Sequence, residues 1–162
     1  MTRRTSRSFR AAAGLLATVA LVAFGASTVG AKPKSRSDSG VVYTALTYGS
    51  GGYNYAAGNL RDKIFKSGAV TYKIKVLPSN AAGVFHLNVP AVTLYVSNGS
   101  FTGTGSATLT VAADGSATVT NGKLTLTNGA GAQKGHTLKG NFTGTGSVKT
   151  GVYKFNFTAT VS

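Results

Sequence analysis

From Gly151 the chain reads GVYKFNFTATV, which sets Tyr153, Phe155, Phe157, Ala159 and Val161 on one face and Lys154, Asn156 and Thr158 on the other. A period of two is what a strand with one buried face requires, because successive side chains point to opposite sides of a sheet. The pattern recurs. AVTYKIKVLP groups Val70, Tyr72, Ile74 and Val76, with Thr71, Lys73 and Lys75 opposite. GVFHLNVP turns Phe85, Leu87 and Val89 inward and His86 and Asn88 outward, and AVTLYVS turns in Val92, Leu94 and Val96. Pro90, between these two runs, cannot donate to a ladder and marks a corner or an edge.

Two stretches predict register as well as strand. In SATLTVAADGSATVT, a turn at Ala113–Asp114–Gly115 with glycine in the left-handed position pairs Val111 with Ala117 and Leu109 with Val119. At Asn121–Gly122 the parity of the apolar residues changes. A second two-residue turn would do this, and so would a bulge in one long strand. The bulge is favoured, because two turns so close together leave a very short strand between them. GHTLKGNF sets His136, Leu138, Gly140 and Phe142 in phase. The glycine-rich part before these runs predicts strands near Val41–Tyr48 and Tyr53–Ala57 and a short one near Lys63–Lys66. No helix is indicated after the N-terminal segment. The expectation is an all-β fold, an antiparallel barrel of about eight strands, with a two-sheet β-sandwich as the alternative.

The first residues belong to a different class. MTRRTSRSFR carries four arginines and no acid, the apolar run Ala11–Phe24 follows, and small residues lead to Ala31. A basic end, a short apolar stretch and a small-residue exit read as a helical signal peptide over residues 1–31, cleaved before Lys32. The alternative is an uncleaved membrane anchor, since a span needs about 20 residues; the run is rich in Ala, Gly, Ser and Thr, which favours cleavage. The Arg3–Arg4 pair also fits twin-arginine export, although the aromatic expected two places after the pair is missing. Residues 32–40 read as a basic flexible leader and 41–162 as a single barrel domain, secreted or otherwise extracytoplasmic.

Composition then narrows the chemistry. There is no Cys, so core burial and sheet hydrogen bonds must hold the fold without disulfides. Against 17 Lys and Arg stand only Asp38, Asp62 and Asp114. Such an excess favours anionic partners, here the cell wall or a membrane surface, and also keeps a protein soluble outside the cell. Nucleic acid is disfavoured, because Tyr72 and Ile74 point away from the face that holds Lys73 and Lys75. Two His and three Asp, with no Cys or Glu, provide no metal set, no cofactor site and no catalytic residues. FTGTGS occurs at Phe101–Ser106 and again at Phe142–Ser147, but a strand follows each copy where a phosphate loop needs a helix. It reads as an architectural element at strand ends, with both phenylalanines inward. The candidate ligand-lining residues are Tyr43, Tyr53, Tyr55, Asp62, His136 and Tyr153. Asp62 also reads as a paired surface charge beside Arg61 and Lys63, and the tyrosines as core and rim packing.

The stretch GKLTLTNGAGAQKGHTLKGNFTGTGS…GVYKFNFTATVS, with its glycine-rich strand starts, small-residue GAGAQKG step and closing aromatic strand, resembles the allene oxide cyclase and dirigent families. The resemblance covers about the last 60 residues. It implies an eight-stranded calycin-type barrel holding a hydrophobic ligand, and as a second functional reading a cyclase-like or dirigent-like enzyme acting on a hydrophobic small molecule. The acidic catalytic residues of those families have no match here, and GAGAQKG is shorter than their usual turn. The texture is also similar to that of small secreted bacterial β proteins. The first reading is a non-catalytic binding or structural barrel module that holds a small apolar ligand and associates with anionic envelope polymers.

Overall fold

The structure, a computed structural model, describes residues 34–162. The signal segment, its cleavage and its anchor and twin-arginine alternatives lie outside the described residues. Eight strands follow one another: β1 (Arg36–Ser50), β2 (Tyr53–Asp62), β3 (Gly68–Pro78), β4 (Val84–Val96), β5 (Gly99–Val111), β6 (Ser116–Gly131), β7 (Leu138–Ser147) and β8 (Val152–Val161). Each pairs antiparallel with the next, and β8 pairs with β1 from Arg36–Val161 to Ala45–Val152, so the sheet closes into a barrel. Closure removes the sheet edges that an open eight-stranded sheet would leave unpaired. Among the described residues no helix is long and apolar enough to cross a membrane.

The alternation read from the sequence is the barrel's inside and outside. Tyr153, Ala159 and Val161 of β8 are buried, and Lys154, Asn156 and Thr158 are exposed. The outer wall carries Thr, Asn and Lys and the inner wall Val, Leu and Phe, the inverse of a barrel whose outer face meets lipid. Bulges in β4 and β6 keep the apolar residues inward where the sequence changes parity. In β4, Val89 and Val92 both face in because the pairing shifts at Pro90 and Ala91. In β6 the shift falls at Asn121, which has φ 52°, so Val119 and then Leu126 stay buried in one 16-residue strand. In β1 a shift between Leu46 and Tyr48 instead turns Tyr48 to the outer wall. The turn before β6 has Gly115 at φ 86° and pairs Val111 with Ala117 and Leu109 with Val119, as its sequence predicts.

Both FTGTGS copies are strand: the first begins at the third residue of β5, and the second forms the last six residues of β7, at a strand end as its sequence predicts. Each sends its Phe and both glycines inward. Flanked by ladders on both sides, their backbone groups are paired across the sheet and form no phosphate loop.

Two expectations about the N-terminal part are corrected. Arg36–Gly40, read as leader, are the first residues of β1, because β8 supplies them with partners from the far end of the chain. Lys63–Lys66 form a bend rather than a strand, because two aspartates capture their amides. Asp38 Oδ1 accepts from Ser39, Lys63 and Ile64 N–H at 2.8, 3.2 and 3.2 Å, and Asp62 Oδ1 accepts from Phe65 and Lys66 N–H at 2.6 and 3.1 Å. The bend carries Phe65 into the barrel, where its ring meets Phe101 edge-on at 5.7 Å. With Leu60, Leu126 and Leu138, all almost fully buried, these rings close one end of the barrel.

Candidate functional site

Above this closed base the interior is not filled. A cavity of about 110 Å³ lies among Val42, Val70, Val89, Leu124, Phe157 and their neighbours, and Tyr72 alone in its lining has a polar side-chain group. A second space of about 60 Å³ lies toward the opposite end and reaches Leu46, Asn54, Val76 and Tyr153. Tyr72, Ile74, Leu87 and Phe155 line both, forming a waist between them. Leu46 and Val76 are 38% and 39% exposed, so the upper space meets solvent at the rim. The barrel is thus a cup, sealed by the Phe65 bend and open between the hairpin turns of its other end.

Glycines make this space. Gly144 and Gly146 of β7 face in, opposite Phe155 and Tyr153 of β8, and those rings lie flat where a β-carbon would stand. Gly122 admits Phe142 in the same way. With no side chain beneath them, the rings tilt against the wall instead of filling the lumen. Tyr153 and Phe155 stack at 6.0 Å with planes 11° apart, and Phe142 meets Phe155 edge-on at 5.7 Å. Such pairs contribute about 0.5–1.5 kcal/mol beyond area burial, so the aromatic lining has a preferred arrangement.

Polarity is confined to the waist and throat. Thr44, 3% exposed, shares a 2.7 Å hydrogen bond with the Tyr72 hydroxyl. Burial pushes the Tyr72 phenol up to about 12, the Thr44 bond opposes this and Tyr153 adds to it. Burial raises Tyr153 as well. Both are therefore neutral donors at physiological pH. No side chain with a charge near neutral pH lines either cavity.

The residues singled out in the sequence separate. Tyr153 lines the upper space. Asp62 is at the base, holding the Phe65 bend, and burial raises its carboxyl, with the Phe65 amide opposing and the Asp38 charge adding. His136 is half-buried in the β6–β7 loop, its Nδ1 3.2 Å from the Ser162 carbonyl. Tyr43, Tyr53 and Tyr55 stand on the outer wall, since their parity is opposite to that of Thr44 and Ala56. There Tyr48 stacks on Tyr55 at 4.5 Å, Lys73 Nζ lies 3.9 Å from the Tyr53 ring centre, and Lys154 Nζ lies 5.8 Å from that of Tyr43. Tyr72 and Ile74 do point away from Lys73 and Lys75, but tyrosines of β2 take their place beside the lysines. Among the described residues no cluster of metal-ligating side chains occurs.

Thr44 and Tyr72 were missed as a pair. Tyr72 carries a phenol at an inward position of an otherwise aliphatic face, which is the signal that marks it; its partner lies 28 residues away. No protein-family model, curated protein or solved structure matches the chain.

Proposed function

We propose that the protein is a non-catalytic binding barrel that takes a small apolar molecule into its cup while its cationic outer wall associates with anionic envelope polymers. The observation that carries this is the apolar cavity behind an open rim in a barrel whose base is sealed. The two spaces together are of the order of the roughly 150 Å³ apolar cavity known to stay dry and bind benzene. That size selects a single ring or a short chain rather than a large lipid. The N-terminal segment supports an extracytoplasmic setting. The enzymatic alternative draws no support from the site, because Asp62 and His136 do not reach the cavity and its two tyrosines titrate too high for acid–base work near neutral pH.

The test is methyl NMR of the barrel domain with benzene, and with xenon under pressure. Shifts concentrated at Val42, Val70, Val89 and Leu124 are expected. A saturated sample with no shift at these methyls, or with shifts only on the outer wall, would rule out the cavity as a ligand site.

A further inference from the structure

The Thr44–Tyr72 pair leaves one hydroxyl proton unplaced. Each hydroxyl has one hydrogen to donate, and the single bond between them uses one. Among the described residues neither oxygen has another side-chain or backbone partner. Buried donors seek acceptors, and the protein provides none at this point. Tyr153, whose burial raises its phenol, brings a second neutral hydroxyl to the upper space, and Asn54 a side-chain amide. Below the waist the wall is apolar. Polarity thus rises along the axis from the base to the rim, and no ion is present on the way.

We infer that the cup selects neutral amphiphiles: a ring or short chain that enters the lower cavity first, and one carbonyl or hydroxyl oxygen that stops at the waist to accept from Tyr72 or Tyr153. This rests on the cavity being a ligand site and specifies its chemistry. A carboxylate or an amine would lose its hydration in the throat and find no opposite charge there, so charged analogues are rejected. A hydrocarbon binds but leaves the spare donor unpaired.

Acetophenone and α-methylstyrene separate these effects, since they share a shape and differ by a carbonyl oxygen in place of a methylene. Their affinities are compared by calorimetry or methyl NMR in the wild type, in Tyr153→Phe and in the double variant Thr44→Val/Tyr72→Phe. The double variant removes both partners of the buried bond at once, which avoids stranding either hydroxyl. A thermal melt confirms that each variant folds. Acetophenone is expected to weaken about three- to tenfold in at least one variant, the range a single net hydrogen bond supplies, while α-methylstyrene stays within about twofold. Equal responses of the two probes, or none in either variant, would overturn the throat as a recognition element and leave the cavity standing. Failure of both probes to bind the wild type would overturn the cavity and this inference together.

Discussion

Gly144 of β7 sits directly opposite Phe155 of β8, and the ring lies over the glycine where any β-carbon would overlap it. The glycine therefore sets the ring's angle, and the ring's angle sets the width of the waist. Gly144→Ala has two ways out: Phe155 swings into the lumen or the β7–β8 ladder gives. Either is an overpacking change costing about 1–3 kcal/mol. Urea denaturation is expected to show that loss, and benzene-induced methyl shifts at the lower cavity are expected to shrink. Unchanged stability together with unchanged benzene binding would show that the ring is not positioned by the glycine.

Asp38 and Asp62 each have one oxygen, Oδ2, that is buried without a hydrogen-bond partner. Protonation of Asp62 turns one of these stranded acceptors into a donor. Because burial raises the native carboxyl above its ordinary value near 3.8, the folded state holds this proton more tightly than the unfolded chain. The stabilisation is present in full below that ordinary value and is lost as pH rises through the native one. Asp62→Asn keeps Oδ1 for the Phe65 and Lys66 amides and abolishes the titration. Its stability relative to wild type is expected to increase from pH 3 towards pH 7 in parallel urea titrations. A difference that stays flat across that range would contradict the assignment.

The strands that carry the site were legible because their alternation is local. Leu109–Val119 and Val111–Ala117 pair as read, and the apolar members of β3, β4 and β8 line the lumen. Other features were not legible, and most of them depend on contacts far apart in the chain. The leader residues Arg36–Gly40 become strand only because β8 is there to pair with them. Lys63–Lys66 alternates well enough to look extended, but Asp38, on another strand, claims two of its amides. The outward tyrosines follow from a parity that the glycine-rich sequence around them does not declare. The cavity is a matter of volume: FTGTGS shows that two inward positions carry no side chain, but whether neighbouring rings fill or line the gap is decided across the ladder.

Asn121 gives the parity change in β6 its conformational basis. It is exposed and sits at φ 52°, in the left-handed region that Asn tolerates and β-branched residues avoid. The shift it absorbs brings Gly122 under Phe142 and keeps Leu126 in the core. Asn121→Val is expected to cost about 1–3 kcal/mol, the range for a residue forced into a sparsely populated region, and Asn121→Gly to be close to neutral. Thermal denaturation of the two variants checks this. Equal melting temperatures for the Val and Gly variants would mean that the bulge relaxes at no cost.

On the outer wall, Lys73 is opposite Tyr55 and its ammonium lies over Tyr53, with Lys75 Nζ 6.0 Å from the same ring. Tyr48 extends the row onto β1 by stacking on Tyr55. Of the three acidic side chains, Asp38 and Asp62 are drawn to the base and only Asp114 remains in an exposed turn. The lysines thus present their charge with little acid among them, on rigid strands rather than in a flexible tail. Near an anionic surface each such lysine contributes about 1 kcal/mol, which is about fivefold in affinity. Sedimentation with cell-wall fragments or anionic vesicles is expected to fall by about that factor in Lys73→Gln, further in Lys73→Gln/Lys75→Gln, and to weaken steeply from low to high salt. Lys134→Gln, in the β6–β7 loop away from the tyrosine row, is the control and is expected to have a smaller effect. Retention indifferent to both salt and the lysine substitutions would remove electrostatic attachment from the function proposed for this barrel.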